Sequence, residues 1–267
     1  SGQEQIVEIS LQESGIYLGT ATVRAQRNKS TKDTAAVALW RKVSQARTDN
    51  SIRQLDAYQY TDYVQTGFDW FNPNKNIVAL KFLLKPLSVV DDYIQQSPQG
   101  IPYLPMMIKE TITEVKYQKK PLKKKNLVIA DQMSGMDNAS LSDFIGNELD
   151  EMDFNQDIIL LTGKSFVSPF AATGNLSYNY FITDSIWVDA QQYYELTFVG
   201  KRQQDFTFMG TAMIHKQTYG IQQINYEISP HIALNFIKEL EGEQYYLHQK
   251  EGVWLKTKES MTAKVAF

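Results

Sequence analysis

The sequence predicts an α+β domain, mainly antiparallel β: a curved meander sheet or incomplete β-barrel covered by a few helices. Three observations lead there. From Leu176 onward, apolar and polar residues alternate in run after run, the period of a half-buried strand. Short turns such as Gln217-Thr218-Tyr219-Gly220 and Lys250-Glu251-Gly252 join those runs at meander spacing. Two stretches nearer the N-terminus repeat at helical spacing and offer cover for one face of the sheet.

Taken in order, residues 5–11 alternate cleanly and read as a strand, and Ile16 to Ala25 reads as a second extended piece. A polar stretch, Gln26 to Asp33, follows. Residues 1–30 are expected to be the end of a preceding small β domain plus its connector, and residues 31–267 the main domain. Asp33 or Thr34 fits a helix N-cap. Val37, Trp40, Val43 and Ala46 then recur on one face of a helix of about 13 residues. Tyr58, Tyr60, Val64 and Phe68 fall on one parity, interrupted by Asp62, and predict the first strand of the main sheet. Residues 75–85 fit a short helix under a sheet. Ser97 to Pro105 carries three prolines and a glycine and reads as a loop crossing.

Thr111, Thr113, Val115 and Tyr117 alternate with polar partners as a strand. Lys116 to Lys125 holds six lysines around Pro121 and reads as a hairpin turn, with Leu127 to Ala130 returning. Ser140 to about Met152 predicts a second helix, with Leu141, Phe144, Ile145 and Leu149 on one face. Thereafter Tyr178, Tyr180 and Ile182 share a face, as do Tyr194, Leu196 and Phe198. So do Phe206, Phe208, Ala212 and Ile214, and then Ile224, Tyr226 and Ile228. Residues 243–249, 253–258 and 261–267 read as three more strands.

Bulk properties bound the function. The 267 residues are 43% hydrophobic and 21% charged, ordinary globular usage for a chain able to bury a full core. A net charge of −3 gives no global pull toward nucleic acid. The absence of cysteine excludes disulfides, thiolate metal sites and a cysteine nucleophile. No stretch has the roughly 20 apolar residues of a membrane helix.

Motif by motif, chemistry is thin. Gly163-Lys164-Ser165 imitates the end of a phosphate loop, but Ile158 stands where the loop needs its first glycine, so a turn before a strand is expected. Asp153, Asn155 and Asp157 imitate the start of a calcium loop, but Ile158 again replaces the glycine of the sharp turn. A solvated helix end is the simpler reading. His215, His231 and His248 lie far apart and read as three unrelated imidazoles rather than a zinc site. No Gly-x-Ser-x-Gly elbow is present, and pairs such as Asp91-Asp92 sit in polar surroundings. Asp33-Thr34-Ala35 and Asp184-Ser185-Ile186 fit a short bacterial O-glycosylation pattern, with capping a direct competitor at the first. No catalytic residue, metal or cofactor is expected.

Two features remain as candidate binding elements. Tyr180, Phe198, Phe206, Phe208 and Tyr226 are expected on the concave side of the sheet. They form a core if the helices fill the concavity, and an apolar site for an acyl chain if they do not. Lys119, Lys120, Lys123, Lys124 and Lys125 form a membrane-surface candidate, each near an anionic surface contributing about 1 kcal/mol. The competing reading is a hairpin tip blunted against edge pairing.

Several collinear stretches carry a resemblance. They are residues 33–43, Ile101 to Pro105 followed by Glu110 and Thr111, residues 163–169, Tyr178 to Tyr180, Phe208 to Gly210 and Leu234 to Phe236. Together they resemble the outer-membrane carboxypeptidase-like regulatory domain-containing proteins. In that family a small β-sandwich precedes a domain of unknown function, and a membrane β-barrel follows. The resemblance implies a periplasmic module on the outer membrane, with an envelope protein or hydrophobic ligand as partner and a barrel C-terminal to this segment. The opening helix and the Tyr-rich strand at 57–68 are similar to those of the lipoprotein-localisation carriers, which wrap an incomplete barrel around helices. The expected function is non-enzymatic: assembly, scaffolding or partner binding, or else binding of an acyl chain in the concavity.

Overall fold

The computed structural model describes residues 33–72, 94–97, 100–135, 152–229, 231–232, 234, 237–250 and 252–266. The expected strands before residue 30, the helix at 75–85 and nearly all of the helix at 140–152 lie outside the described residues. Helix α1 spans Thr34–Asn50, longer than its apolar stripe suggests. Asp33 caps it: the carboxylate accepts from the Ala36 N–H at 3.0 Å. The other carboxylate oxygen accepts from the Ile182 N–H at 3.3 Å, so one residue both starts the helix and ties it to the sheet.

Twelve strands are described: β1 (Ala57–Phe71), β2 (Gln95–Gln96), β3 (Pro102–Gln118), β4 (Lys123–Gly135), β5 (Ile158–Leu161), β6 (Lys164–Val167), β7 (Tyr178–Val188), β8 (Gln191–Gly200), β9 (Phe208–His215), β10 (Ile221–Ile228), β11 (Ile237–His248) and β12 (Trp254–Val265). A single helical turn, α2 (Gly174–Ser177), precedes β7. Strands β7 to β12 form the expected meander, each beside its sequence neighbour. Beyond β12 the sheet continues through β1 to β3, whose outer side pairs with β2 at one end and β4 along the rest. The result is one open, curved ten-stranded sheet, with β5 and β6 as a separate hairpin.

The sheet is mainly antiparallel, as expected, with one parallel strand pair, β1–β12, where an early strand docks beside the last described one. Three expectations need correction. The runs at 253–258 and 261–267 are one strand, β12, because polar Glu259 between them is buried rather than placed in a turn. The proline-rich stretch before Met106 is partly strand: Pro102 opens β3 and Pro105 sits beside its bulge, positions that tolerate a missing N–H. The return strand β4 is much longer than Leu127 to Ala130.

The core lies on the concave side of β7–β12. Trp40 of α1 stacks on Tyr180 of β7 at 5.4 Å between ring centroids. Residues 152–170 bring Phe154, Phe166 and Phe170, each fully buried, onto the same face. Phe154 meets Phe208 at 5.2 Å and Tyr226 at 4.9 Å, Phe166 meets Phe208 at 4.9 Å, and Phe170 meets Phe198 at 5.9 Å. Each ring so buried contributes roughly 1.5–3 kcal/mol of transfer free energy.

Candidate binding surfaces

The aromatic face expected to bind a ligand is occupied by protein. Tyr180, Phe198, Phe208 and Tyr226 are all at most 3% exposed, against the rings just named. Phe206 differs: it precedes β9 and is only partly buried, tilted against Phe166 with the Lys164 ammonium 5.9 Å from its ring centre. Burial pushes the Tyr178, Tyr180 and Tyr226 hydroxyls above the usual phenol range. Where α1 meets the ends of β10 and β12, between Arg47, Tyr219, Tyr246 and Trp254, the space left is about 10 Å³, room for about one water.

A polar chain runs through this core. Gln244, fully buried, donates to the Met152 carbonyl at 2.5 Å and to Glu259 at 2.8 Å, and accepts from the Tyr246 hydroxyl at 2.6 Å. The Lys256 ammonium closes the network on the other Glu259 oxygen at 2.6 Å. Every partner there is satisfied, the condition under which a buried charge is tolerable. The network anchors the backbone where residues 152–170 enter the core.

The calcium-like and phosphate-like sequences have structural work. Arg47 donates to the Asn155 carbonyl at 2.8 Å and to Asp157 at 2.6 Å, and Arg53 donates to Asp153 at 3.1 Å. The Arg47 guanidinium holds the Asp157 carboxyl below its ordinary range, with the Ala172 N–H adding to the effect. These carboxylates clamp a loop to α1, through Arg47, and to the turn after it, through Arg53, rather than forming a solvated helix end. Gly163-Lys164-Ser165 lies at the β5–β6 turn, where Thr162 and Gly163 both take positive φ, 47° and 71°. Asp184 accepts from the Ser185 N–H at 2.7 Å on the exposed part of β7.

The histidines are not unrelated. His215 and His248 approach with ring centroids 6.1 Å apart, and His248 stacks on Trp254 at 4.9 Å. His215 is 3% exposed, shares a hydrogen bond of 2.9 Å between Nδ1 and the Thr218 hydroxyl, and lies 5.3 Å from the Tyr193 ring. Burial, then the neighbouring His248, lowers its pKa. The sequence did hold a sign of this. His215 ends β9 and His248 ends β11, and alternate strands of a meander finish on the same side. Among the described residues no group of three or more His, Cys, Asp or Glu is placed to hold a metal ion.

The open surface is at the other end of the sheet. All 13 positions of β4 are exposed, and Leu127, Val128, Ile129 and Met133 are each 44–57% exposed. Among the described residues β4 pairs only with β3, so its outer N–H and C=O groups face away from the sheet. The five candidate lysines gather where β3 turns into β4, as the sequence predicts. Lys119 and Lys120 lie in the turn, and Lys123, Lys124 and Lys125 open the return strand. Behind them Tyr58 and Tyr117 stack at 4.7 Å. A shallow groove of about 490 Å³ runs beside Gln59, Lys116, Gln118, Lys123 and Lys125.

Comparison with known proteins adds one finding. No curated protein and no solved structure matches the chain. Residues 40–267, which include most of the core, the polar chain and the open hairpin alike, match the model of a family of unknown function, and the chain therefore belongs to that family, DUF5686.

Proposed function

We propose that this chain is a non-catalytic module that holds a partner polypeptide along the outer edge of β4, on the periplasmic side of a bacterial outer membrane. The observation that carries this reading is the edge itself, unpaired among the described residues. A free strand edge is a template for main-chain hydrogen bonding, and alternate side chains beside it select the partner. Natural sheets cover, shorten or charge such edges. In β4 lysines charge the start and Asp131 the middle, and between them Leu127, Val128 and Ile129 are about half exposed.

A scaffolding role is further supported by the packed half of the molecule. There the aromatic rings fill the concave side, and the acidic loop is held by arginines. The envelope setting draws on the collinear resemblance to outer-membrane regulatory-domain proteins, in which a membrane β-barrel follows the corresponding domain.

The test is position-specific photocrosslinking in the full-length protein in its own cells. A photoreactive residue at Val128 is expected to give a discrete protein adduct. One at Trp187, 67% exposed on the opposite edge strand β7, is expected to give none. Adducts from neither position, or equally from both, would overturn the reading.

A further inference from the structure

We infer that the tip of the β3–β4 hairpin docks end-on against an anionic phospholipid surface. This goes beyond partner binding, which concerns the strand past Asn126. The apex residue Leu122 is 75% exposed, the most exposed of the large hydrophobic side chains in the described residues. Lys119 and Lys120 precede it, and Lys123, Lys124 and Lys125 follow.

Strand register decides how those charges point. Lys124 pairs with Tyr117, and Lys123 and Lys125 pair with Gln118 and Lys116. Directly paired residues share a face, and successive ones alternate. Lys124 therefore projects from the face of the Tyr58–Tyr117 stack, and Lys116, Lys123 and Lys125 project from the opposite face. Cations thus surround an apolar apex on both sides of a thin ribbon. A pocket for one soluble anion needs donors that converge. Here Lys116, Lys123 and Lys125 share one face and Lys124 projects from the other, so the cations spread over both faces and match a plane of negative charge met tip-first.

Counter-charge is sparse. Lys116 pairs with Glu114 at 2.9 Å and Lys119 with Asp56 at 3.7 Å, the latter with a 90% exposed carboxylate. Among the described residues, Lys120, Lys123, Lys124 and Lys125 have no ion-pair partner. The stacked Tyr58 and Tyr117 stand next to the lysines, the amphipathic type of ring found at membrane–water boundaries.

The absence of cysteine makes the test clean. Leu122→Cys in the whole chain is labelled with an environment-sensitive dye, and Trp187→Cys serves as the control site. With vesicles of mixed phosphatidylcholine and phosphatidylglycerol, the dye at position 122 is expected to brighten and shift to the blue. With pure phosphatidylcholine it is expected not to change, and position 187 is expected to change with neither. In vesicle co-sedimentation, losing one lysine lowers partitioning roughly five-fold, so K123Q/K124Q/K125Q lowers it roughly 100-fold. Binding is also expected to weaken steeply in about 0.5 M salt. These side chains are solvent-exposed, and an unchanged melting curve of the triple variant separates lost binding from lost folding. Equal response to both vesicle types, no response at position 122, or full binding by the folded triple variant would overturn the inference.

Discussion

The two ends of this sheet share one hydrogen-bonded ladder and differ in what lies on their inner face. Along β7–β10, Tyr180, Phe198, Phe208 and Tyr226 each meet a ring from α1 or from residues 152–170, and these four, with Leu196 and Ile224, are at most 3% exposed. Along β3–β4 the positions on the same face include Thr111, Thr113, Asn126 and Val128, which are only partly buried or exposed. Main-chain pairing therefore builds both ends, while side-chain burial reaches β3 at Leu104, Met106, Met107 and Val115 and stops short of β4. Sheet extension and core formation are separable in this molecule. The packed end holds most of the buried side chains, and β4 holds none.

The largest effect expected from this contrast is at Phe154, which touches both Phe208 and Tyr226. Phe154→Ala is predicted to cost about 3–5 kcal/mol in urea unfolding, the range for a ring deleted from a packed core. A cost below about 1 kcal/mol would mean that residues 152–170 are not part of the core, and the contrast would fail. Next comes Gly220. A Cβ built there falls inside the Trp254 indole, so the ring lies flat on the glycine only because no side chain intervenes. The same indole N–H donates to the Thr218 hydroxyl at 3.1 Å, beside His215. Gly220→Ala must displace the indole and is predicted to cost about 1–3 kcal/mol, read as a lowered melting temperature.

A smaller effect is predicted at the seam where β1 meets β12. Asp69 lies opposite Lys264 in the parallel register. Burial pushes its carboxyl up to about 6, with Lys264 opposing the shift and Glu241 adding to it. The folded state thus holds this proton more tightly than the unfolded state does. The favourable contribution is complete below the ordinary carboxylate range and is lost as pH rises through about 6. Asp69→Asn resembles the protonated form. It is predicted to stabilise the protein by about 1 kcal/mol near pH 7.5, a figure discounted for partial exposure, and by nothing near pH 4. Denaturant melts at the two pH values check the sign.

The packed end was largely legible in the sequence. Asp33 announced the helix start, and period-two alternation placed the inner residues of β7 to β10 correctly. What misled there was polarity inside the core. Glu259 looked like the break between two strands, but Gln244 and Lys256 satisfy it in mid-strand. That pairing comes from strand register across the sheet, which no local pattern reports. The His215–His248 approach was signalled only by topology, through their places at the ends of alternate meander strands. The open end was legible at its tip, because a lysine run around Pro121 can hardly be anything but a turn. Its length was not, since the polar flanks of Leu127 to Ala130 masked a strand that runs from Lys123 to Gly135. Alternation tells which residues share a face. It does not tell whether anything covers that face, because the cover comes from distant chain.

The smallest effect sharpens the comparison most. Ile129 stands at the bulge of β4, where the register shifts opposite Ile112 and Thr113, and it is 52% exposed. In an ordinary strand an isoleucine at mid-length contributes through its neighbours on the same face. Here little surrounds it to lose, so Ile129→Ser is predicted to change stability by under about 0.5 kcal/mol, the range of a surface substitution. The same truncation at Ile224, fully buried on β10, leaves a cavity and an unpaired hydroxyl and is predicted to cost several-fold more. If both variants fold and only the β4 variant loses the Val128 crosslink, the hydrophobic side chains of β4 serve a contact outside the domain. A cost at Ile129 that approaches the cost at Ile224 would instead mean that β4 is buried against the protein's own chain in solution, and the division of the sheet into a packed and an open half would be wrong.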